Sequence, residues 1–579
     1  MTDIRRTLLW VVFTMSLVLL WDAWQKHTGQ PSMFGGPPAV SSSAAPGEVG
    51  GGTVGGVGGV GGAGGVVGGL PAPAALPGAP NVPVVPGGVI AGAVAAQNEQ
   101  ITVTTDVVKA TFDSLGGSLV RLELLGYRDH NVRDSNVILM GQAGSRLYVA
   151  QTGLVTSQPG ISLPNHQTLM TVVPAERTLA AGANEILVRF ESPTLDGRKL
   201  AKTYTFRRGE FTIGVKHEVT NESAAAISPQ LYLQLARDGI APEGESKFYF
   251  TFTGPAMFTD ANKFKKIDFK DIAKGSVDID RTADNGWIAM VQHYFASAWL
   301  LDGNAQREFR TAFIPAAQGV PEHYTIAMVV PLGDVAPGET RTHEATLFSG
   351  PQEEDKLADL ATGLDLVKDY GWLTILSKPL FQLLTFLHGF LNNWGWAIVA
   401  LVVVLKAAFY WLNATAYRSM GKMKAVTPKI MEMRERLKDK PQQMQQEMMK
   451  IYREEKVNPL GGCLPILVQM PFFIALYWVL LSSVEMRNAP WIGWINDLSA
   501  PDPWFILPVL MTLSSLFQVW LNPTPPDPMQ AKLMWILPLA FGFMFFFFPA
   551  GLVLYWLTNN LLSIAQQWYI NKQLGVLGK

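Results

Sequence analysis

Residues Trp394–Leu412 read WGWAIVALVVVLKAAFYWL, nineteen residues with one charge, Lys406. At 1.5 Å per residue such a run is long enough to cross a hydrocarbon core about 30 Å thick. A cation at the centre of a membrane helix costs roughly 2.5–3.5 kcal/mol on insertion scales. Residues of this kind usually face a bundle interior or a wet cavity and mark function. The plainer reading is that Lys406 snorkels, its stem carrying the ammonium to the headgroups. This stretch alone leaves both readings open.

Composition narrows the class. A chain of 579 residues holds more than one domain. Charged residues are only 16%, yet the middle of the chain has the character of a soluble protein, as expected for a membrane protein with a large extramembrane domain. A net charge of −1 argues against bulk nucleic-acid binding, so no specific nucleic-acid partner is expected. The lone Cys463 excludes an intramolecular disulfide and a cysteine-based zinc cluster. The eight histidines show no metal-ligand spacing, and neither a metal nor a cofactor is expected.

Residues 1–28 carry Arg5 and Arg6 before a hydrophobic run from Leu8 to Trp21, with no small-x-small cleavage site after it. This reads as an uncleaved anchor with its arginines in the cytoplasm. Residues 29–97 are Gly, Val, Ala and Pro, a composition that gives a flexible tether. Over 98–350 the hydrophobic period falls to two. Ile101–Val103, Lys202–Phe206, Phe211–Val215 and Phe248–Phe252 read as strands, with turns at Asp196–Gly197 and Arg208–Gly209. About 250 residues of this pattern predict a large all-β sandwich. Asp278, Asp280, His217 and His293 lie in no catalytic context and read as solvated faces and core-edge histidines.

Residues 351–393 return to helical spacing. Glu353–Asp369 places Leu357, Leu360, Leu364 and Val367 on one stripe. The more apolar Tyr370–Trp394 reads as an interfacial helix split at Pro379, with a domain-packing helix as the alternative. After the Lys406 stretch, further spans are expected at Leu460–Val484, Trp504–Trp520, Met534–Phe548 and Gly551–Leu562, the last two joined by a tight hairpin at Pro549–Gly551. With the anchor this predicts six transmembrane helices, five of them forming a core over 394–573, before a tail at 574–579. Tyr417–Val457 holds eleven Lys/Arg against six Asp/Glu, so this loop belongs in the cytoplasm. The β-domain and the Glu485–Pro503 loop are then outside, and both termini inside.

The cytoplasmic segment 416–457 reads as a helical hairpin broken at Asp439–Pro441. Met420, Met423, Met431, Met433, Met444, Met448 and Met449 lie on it. Methionine suits surfaces that accept varied apolar partners, and equally well glues two helices together. Within the spans, Thr512, Ser515 and Gln518 fall on one face, as do Asn559, Ser563 and Gln566. Such residues can be ordinary interhelical contacts worth about 0.6 kcal/mol each. Together with Gln469 and Lys406 they are better explained by a shared wet concavity, against which Phe472–Phe473 and Phe545–Phe548 present bare hydrocarbon.

Three segments carry a resemblance: NPLGGCLPILVQMPFFIALY (Asn458–Tyr477), MEMRERLKDKPQQMQQEMMKIYREEKVNP (Met431–Pro459) and PAGLVLYWLTNNLLSIAQQ (Pro549–Gln567). They resemble the YidC insertases of Gram-negative bacteria, in the Oxa/YidC/Alb family, closely over Asp365–Gln573 and in order and character elsewhere. The resemblance implies a five-helix core with a hydrophilic groove open to cytoplasm and lipid, and an external β-supersandwich. It implies a functional cation at Lys406, where bacterial members usually carry arginine; lysine keeps the charge and loses the bidentate fork. Gln469 matches a groove position, and Tyr555 and Trp556 fall where aromatic residues meet substrate. Implied partners are nascent membrane proteins, the lipid bilayer, the Sec translocon, and the ribosome or signal recognition particle receptor at the cytoplasmic face. The implied site is the inner membrane.

The expected function is insertion without chemistry. The sequence has no GxxxxGK[ST] motif, so partitioning and the membrane potential must supply the energy. An enzyme would need an acid, base or nucleophile, and the spans offer no Asp, Glu or His. A small-solute transporter or channel also puts charge at mid-depth, but its usual internal repeat is not found.

Overall fold

The structure, a computed structural model, describes residues 98–129, 135–242, 251–317, 320–437, 440–455, 464–522 and 528–573. The anchor, the tether, Phe248–Phe250 and the C-terminal tail lie outside the described residues.

Strands between Gln100 and Pro351 form two nine-stranded antiparallel sheets packed face to face. The period-two reading corresponds to burial. Strand Thr212–Asn221 buries every second side chain from Ile213 onward. Asp196 and Gly197 both take positive φ, 49° and 77°, in the turn that Leu195 and Arg198 close. Thr251 and Phe252 are not in a strand; the adjacent strand begins at Gly254.

Strands Trp287–Gln292 and Phe295–Leu300 are buried on both faces. Ile288, Met290 and Trp299 point into the sandwich core. Ala289, Val291, Ala296 and Ala298 are covered instead by Leu357, Leu364 and Val367. The expected helix over Glu353–Asp369 is therefore corrected. Helix α1 covers only Glu354–Leu360, and a single 3-10 turn follows at Leu364–Val367. Gly363 breaks the helix at φ +72°, with the Phe258 ring so close that any Cβ would collide. The apolar residues are laid along a sheet rather than along one helical stripe, and Leu360 is left exposed.

Lys202 and His217 are a neighbouring pair of titratable side chains inside the sandwich. Lys202 is wholly buried and donates to the carbonyls of Gly116 (2.6 Å) and Thr152 (2.7 Å). His217, beside it on the next strand, hydrogen-bonds Thr152 Oγ1 at 3.0 Å. Burial lowers the Lys202 ammonium to about 7 and, with the Lys202 charge and His343 nearby, holds His217 well below its usual range.

Helix α2 (Thr374–Leu391) follows as one piece. Pro379 lies inside it without splitting it, which corrects the expected break. Its Leu380, Phe381 and Leu384 are buried, whereas Trp372 just before it, Ile375, Phe386 and Phe390 are 61–83% exposed. This leaves one face of α2 packed and the opposite face apolar and uncovered.

The Lys406 stretch is not one straight span. Helix α3 (Trp394–Ala408) stops at Phe409, and α4 (Tyr410–Arg436) departs at 68°. Lys406 thus lies in the last turn of α3, at the negative end of the helix dipole, which favours a cation. Helix α5 (Pro441–Glu454) folds back on α4, forming the expected hairpin. The remaining helices are α6 (Leu464–Ser482), α7 (Ile506–Leu521), α8 (Pro528–Phe545) and α9 (Ala550–Gln573). Helix α9 packs on α3, α4, α6 and α7, while α8 packs along α7. The turn between α8 and α9 is Phe546–Pro549, which corrects the expected hairpin at Pro549–Gly551: Ala550 and Gly551 already belong to α9. Among the described residues no single helix is long and apolar enough to cross a membrane; the bent pair Trp394–Ala408 plus Tyr410–Met423 is.

The sandwich is fastened to the helices by the segment after α6. Val484 enters the sandwich core cluster. Glu485 accepts from the buried Lys368 ammonium at 3.1 and 3.2 Å, and that ammonium lies 3.7 Å from the Phe381 ring centre on α2. Arg487 donates to the Arg128 carbonyl at 2.6 Å, and His293 meets the Leu481 carbonyl at 2.9 Å.

Two outcomes follow from these buried titratable groups. Unfolded chain protonates His217 below about 6.5 and Lys202 below about 10.5, whereas the sandwich holds both neutral further down. Acidification therefore favours the unfolded state, from about 10.5 to 7 through Lys202 and below about 6.5 through His217. Hydrogen exchange of strands 198–221, corrected for intrinsic rates, should show protection falling from pH 8 to 5, and His217→Gln should flatten the acid limb. Lys368→Met strands the Glu485 carboxylate and should destabilise the junction by about 3–5 kcal/mol. Limited proteolysis within 352–372 reads this, and Lys368→Met with Glu485→Leu should recover most of the loss.

Candidate functional site: a polar recess at the helix bend

The bend at Phe409 opens a recess between α3, α6 and α9. Val402, Leu405, Lys406, Phe409, Gln469, Phe472, Phe473, Tyr555 and Asn559 line it. Its volume, about 30 Å³, is room for one or two waters. Half-buried Lys406 donates from Nζ to Ser563 Oγ at 2.7 Å, and Ser563 Oγ donates in turn to the Asn559 carbonyl at 2.7 Å. Among the described residues no carboxylate pairs with Lys406. Gln469 donates to Asn413 Oδ1 at 2.9 Å, tying α6 to the first turn of α4.

Of the residues singled out in the sequence, Lys406, Gln469, Tyr555, Asn559 and Ser563 come together here. Gln566 adjoins them, donating to the Tyr410 carbonyl at 3.2 Å. The α7 residues do not join. Thr512 bonds its own helix at the Pro508 carbonyl and packs against Gly542 of α8. Ser515 accepts from Asn560 at 3.2 Å, and Gln518 is half-buried on the same helix. Trp556 packs on Phe545 and Phe548, 4.9 and 5.7 Å between ring centres. Phe545 and Phe548 are thus buried instead of presenting bare hydrocarbon; Phe543 and Phe547 face outward. Phe472 and Phe473 wall the recess, against Phe409 and Tyr555 respectively.

Helix α9 therefore carries two polar faces. Asn559, Ser563 and Gln566 face the bend. Asn560 donates to Ser514 (2.8 Å) and Ser515, and Gln567 donates to Asn522 (2.8 Å), which holds α7. Sequence reading missed Asn413, Ser514, Asn560 and Gln567. Asn413 follows directly after the apolar stretch, seven residues from Lys406; that spacing was the available signal.

On the hairpin, Met433 is buried and Met423, Met444 and Met448 are partly buried around Val426 and Ile430. Met420 is half-buried, while Met431 and Met449 are 47% and 46% exposed. The hairpin is further held by Lys429–Glu455 (2.5 Å) and Arg436–Glu447 (3.1 Å).

A β-sandwich bolted to bent apolar helices with a cation at their bend defines a helical membrane protein with a large external domain. Residues 100–383 match the family model described as the YidC periplasmic domain, and 386–575 match the one described as 60Kd inner membrane protein. A Cupriavidus metallidurans protein named membrane protein insertase YidC is 53% identical over 576 residues, covering 99% of this chain and 98% of its own length. A Bordetella pertussis protein of the same name is 50% identical over 573 residues, again covering 99% and 98%. The chain belongs to the YidC family.

The two neighbouring asparagines of α9 should separate in a stability measurement. Asn560→Leu breaks the contact to α7 and strands two serines, costing about 1–2 kcal/mol. Asn559→Leu, on the recess side, should leave the thermal midpoint of the detergent-solubilised protein close to that of the parent.

Proposed function

We propose that the recess at the α3–α4 bend is where polar segments of nascent membrane proteins enter the bilayer, making this chain a membrane protein insertase of the inner membrane. The observation that carries the reading is Lys406, a half-buried cation bound to a neutral serine and paired with no carboxylate among the described residues. A structural ion pair would have a partner already; this charge is left for something that arrives.

Solvation drives the process. Each unsatisfied polar group dragged through hydrocarbon costs several kcal/mol. Amides and hydroxyls from Gln469, Asn559 and Ser563, with the water they hold, lower that barrier over part of the thickness. Lys406 adds an attraction for an acidic residue of about 4 kcal/mol at 4 Å and an effective dielectric of 20, before desolvation. The membrane potential adds about 2.3 kcal/mol per charge per 100 mV for an acidic segment moving outward. The apolar part of the substrate then leaves past Phe472 and Phe473 into lipid. This is binding and partitioning; the protein is not an enzyme.

Six crossings, cytoplasmic termini and a cytoplasmic hairpin remain the topology of this proposal. It is supported by the Glu485–Pro503 loop lying on the sandwich side, where Val484 joins the sandwich core, and by the excess of basic residues on the hairpin. Met420, Met431 and Met449, with Met423, Met433, Met444 and Met448 behind them, give arriving apolar segments or a ribosome, signal recognition particle receptor or Sec translocon a deformable surface. Thr512, Ser515 and Trp556 serve the proposed site by holding α7–α9 in place, and Gln518 lies on the same helix as Ser515.

Lys406→Arg should insert acidic-tailed substrates within about twofold of the parent, whereas Lys406→Glu should fall by about tenfold or more, equivalent to at least 1.4 kcal/mol. Protease protection of such a substrate in depleted cells reads the difference. Equal insertion by both variants removes the lysine from the mechanism.

A further inference from the structure

We propose that Asn413, directly behind the recess residue Gln469, is a second binding residue for the passing chain, one that serves its backbone and not its charge. The inference rests on the insertase reading and deepens it.

Asn413 sits in the first turn of α4, its amide N–H bonded to the Phe409 carbonyl at 3.0 Å across the bend. Its side chain is 4% exposed. Oδ1 accepts from Gln469, a recess residue, at 2.9 Å. Nδ2 is buried and has no hydrogen-bond partner among the described residues. A buried donor in that state costs about 1–3 kcal/mol, and a residue that merely joined two helices would need only the first bond. Exchanging the O and N of both amides makes the unmatched atom Oδ1, which suits a peptide N–H as Nδ2 suits a peptide carbonyl, so in either orientation the spare atom matches a polypeptide backbone.

The surroundings say what the spare donor suits. Phe409 and Phe472, 5.0 Å apart between ring centres, wall this side of the recess, and no charged side chain among the described residues bonds to Asn413. A neutral donor among aromatic rings is matched to a neutral acceptor. The acceptor that every entering polypeptide brings is its peptide carbonyl. Lys406 lies seven residues earlier on the far side of the bend. The two residues therefore have separate roles, in which the ammonium discriminates for acidic segments and the amide holds any extended chain. Nδ2 is buried behind the Gln469 contact, so a chain reaches it only where α4 and α6 part.

Three substitutions test this in the full-length protein. Asn413→Asp keeps an acceptor for Gln469 and removes the spare donor. Asn413→Ser keeps one donor and one acceptor. Lys406→Glu is the control for the groove itself. With one substrate tail made acidic and an otherwise identical tail made neutral, Asn413→Asp should reduce insertion of both about three- to tenfold, and Asn413→Ser should restore most of it. Full insertion of both tails by Asn413→Asp while Lys406→Glu blocks the acidic tail overturns the proposal and leaves the groove standing. Full insertion by both variants overturns the groove reading as well. Because Asn413→Asp could misfold, Asn413→Cys in a Cys463→Ser background is also oxidised against single-cysteine stalled nascent chains. Disulfide adducts at successive tail positions support contact with the backbone. Their absence, with adducts still formed by Asn559→Cys, contradicts it.

Discussion

An unpaired ammonium half-buried among apolar helices is the constraint that the helical domain answers to. Lys406 is tolerable where it is for three reasons. It closes the last turn of α3, where the helix dipole is negative. It has a hydroxyl to bond, from Ser563 on α9. And the chain turns through 68° just beyond it, which keeps the next helix from closing over the charge. Remove any of these and the cheaper state is a paired or deprotonated lysine, with no attraction left for an incoming acid.

The surrounding polar residues divide into those that hold the frame and those that face the cavity. On α9 the division falls between adjacent residues: Asn560 and Gln567 fix α7, while Asn559 and Ser563 turn to the bend. The sandwich contributes a fixed base. Lys368, Glu485, Arg487 and Val484 join it to α2 and α6 outside the recess. Since α6 also carries Gln469, the wall opposite the bend belongs to a helix anchored to the sandwich.

Much of this was legible in the sequence, for identifiable reasons. Period-two burial from Ile213 to Asn221 reports a strand with one face in the core, and the basic, Pro-broken run at 416–457 reports a hairpin. The polar stripe on α9 reported a recess. What the sequence hid was geometry set by partners. Nothing in WGWAIVALVVVLKAAFYWL marks Phe409 as the end of a helix. Leu357, Leu364 and Val367 had helical spacing but answer to a sheet surface. Thr512 and Ser515 have the composition of a groove and the contacts of helix packing. Asn413 was missed because the apolar count stops one residue earlier.

Insertion by this route requires that water reach the recess from the cytoplasm and not from the outside. A cysteine at Asn559, in a Cys463→Ser background, should react with a membrane-impermeant maleimide added to inverted inner-membrane vesicles and stay unreactive when the reagent is added to right-side-out vesicles. No labelling from the cytoplasmic face, or labelling only from the outer one, would contradict the mechanism.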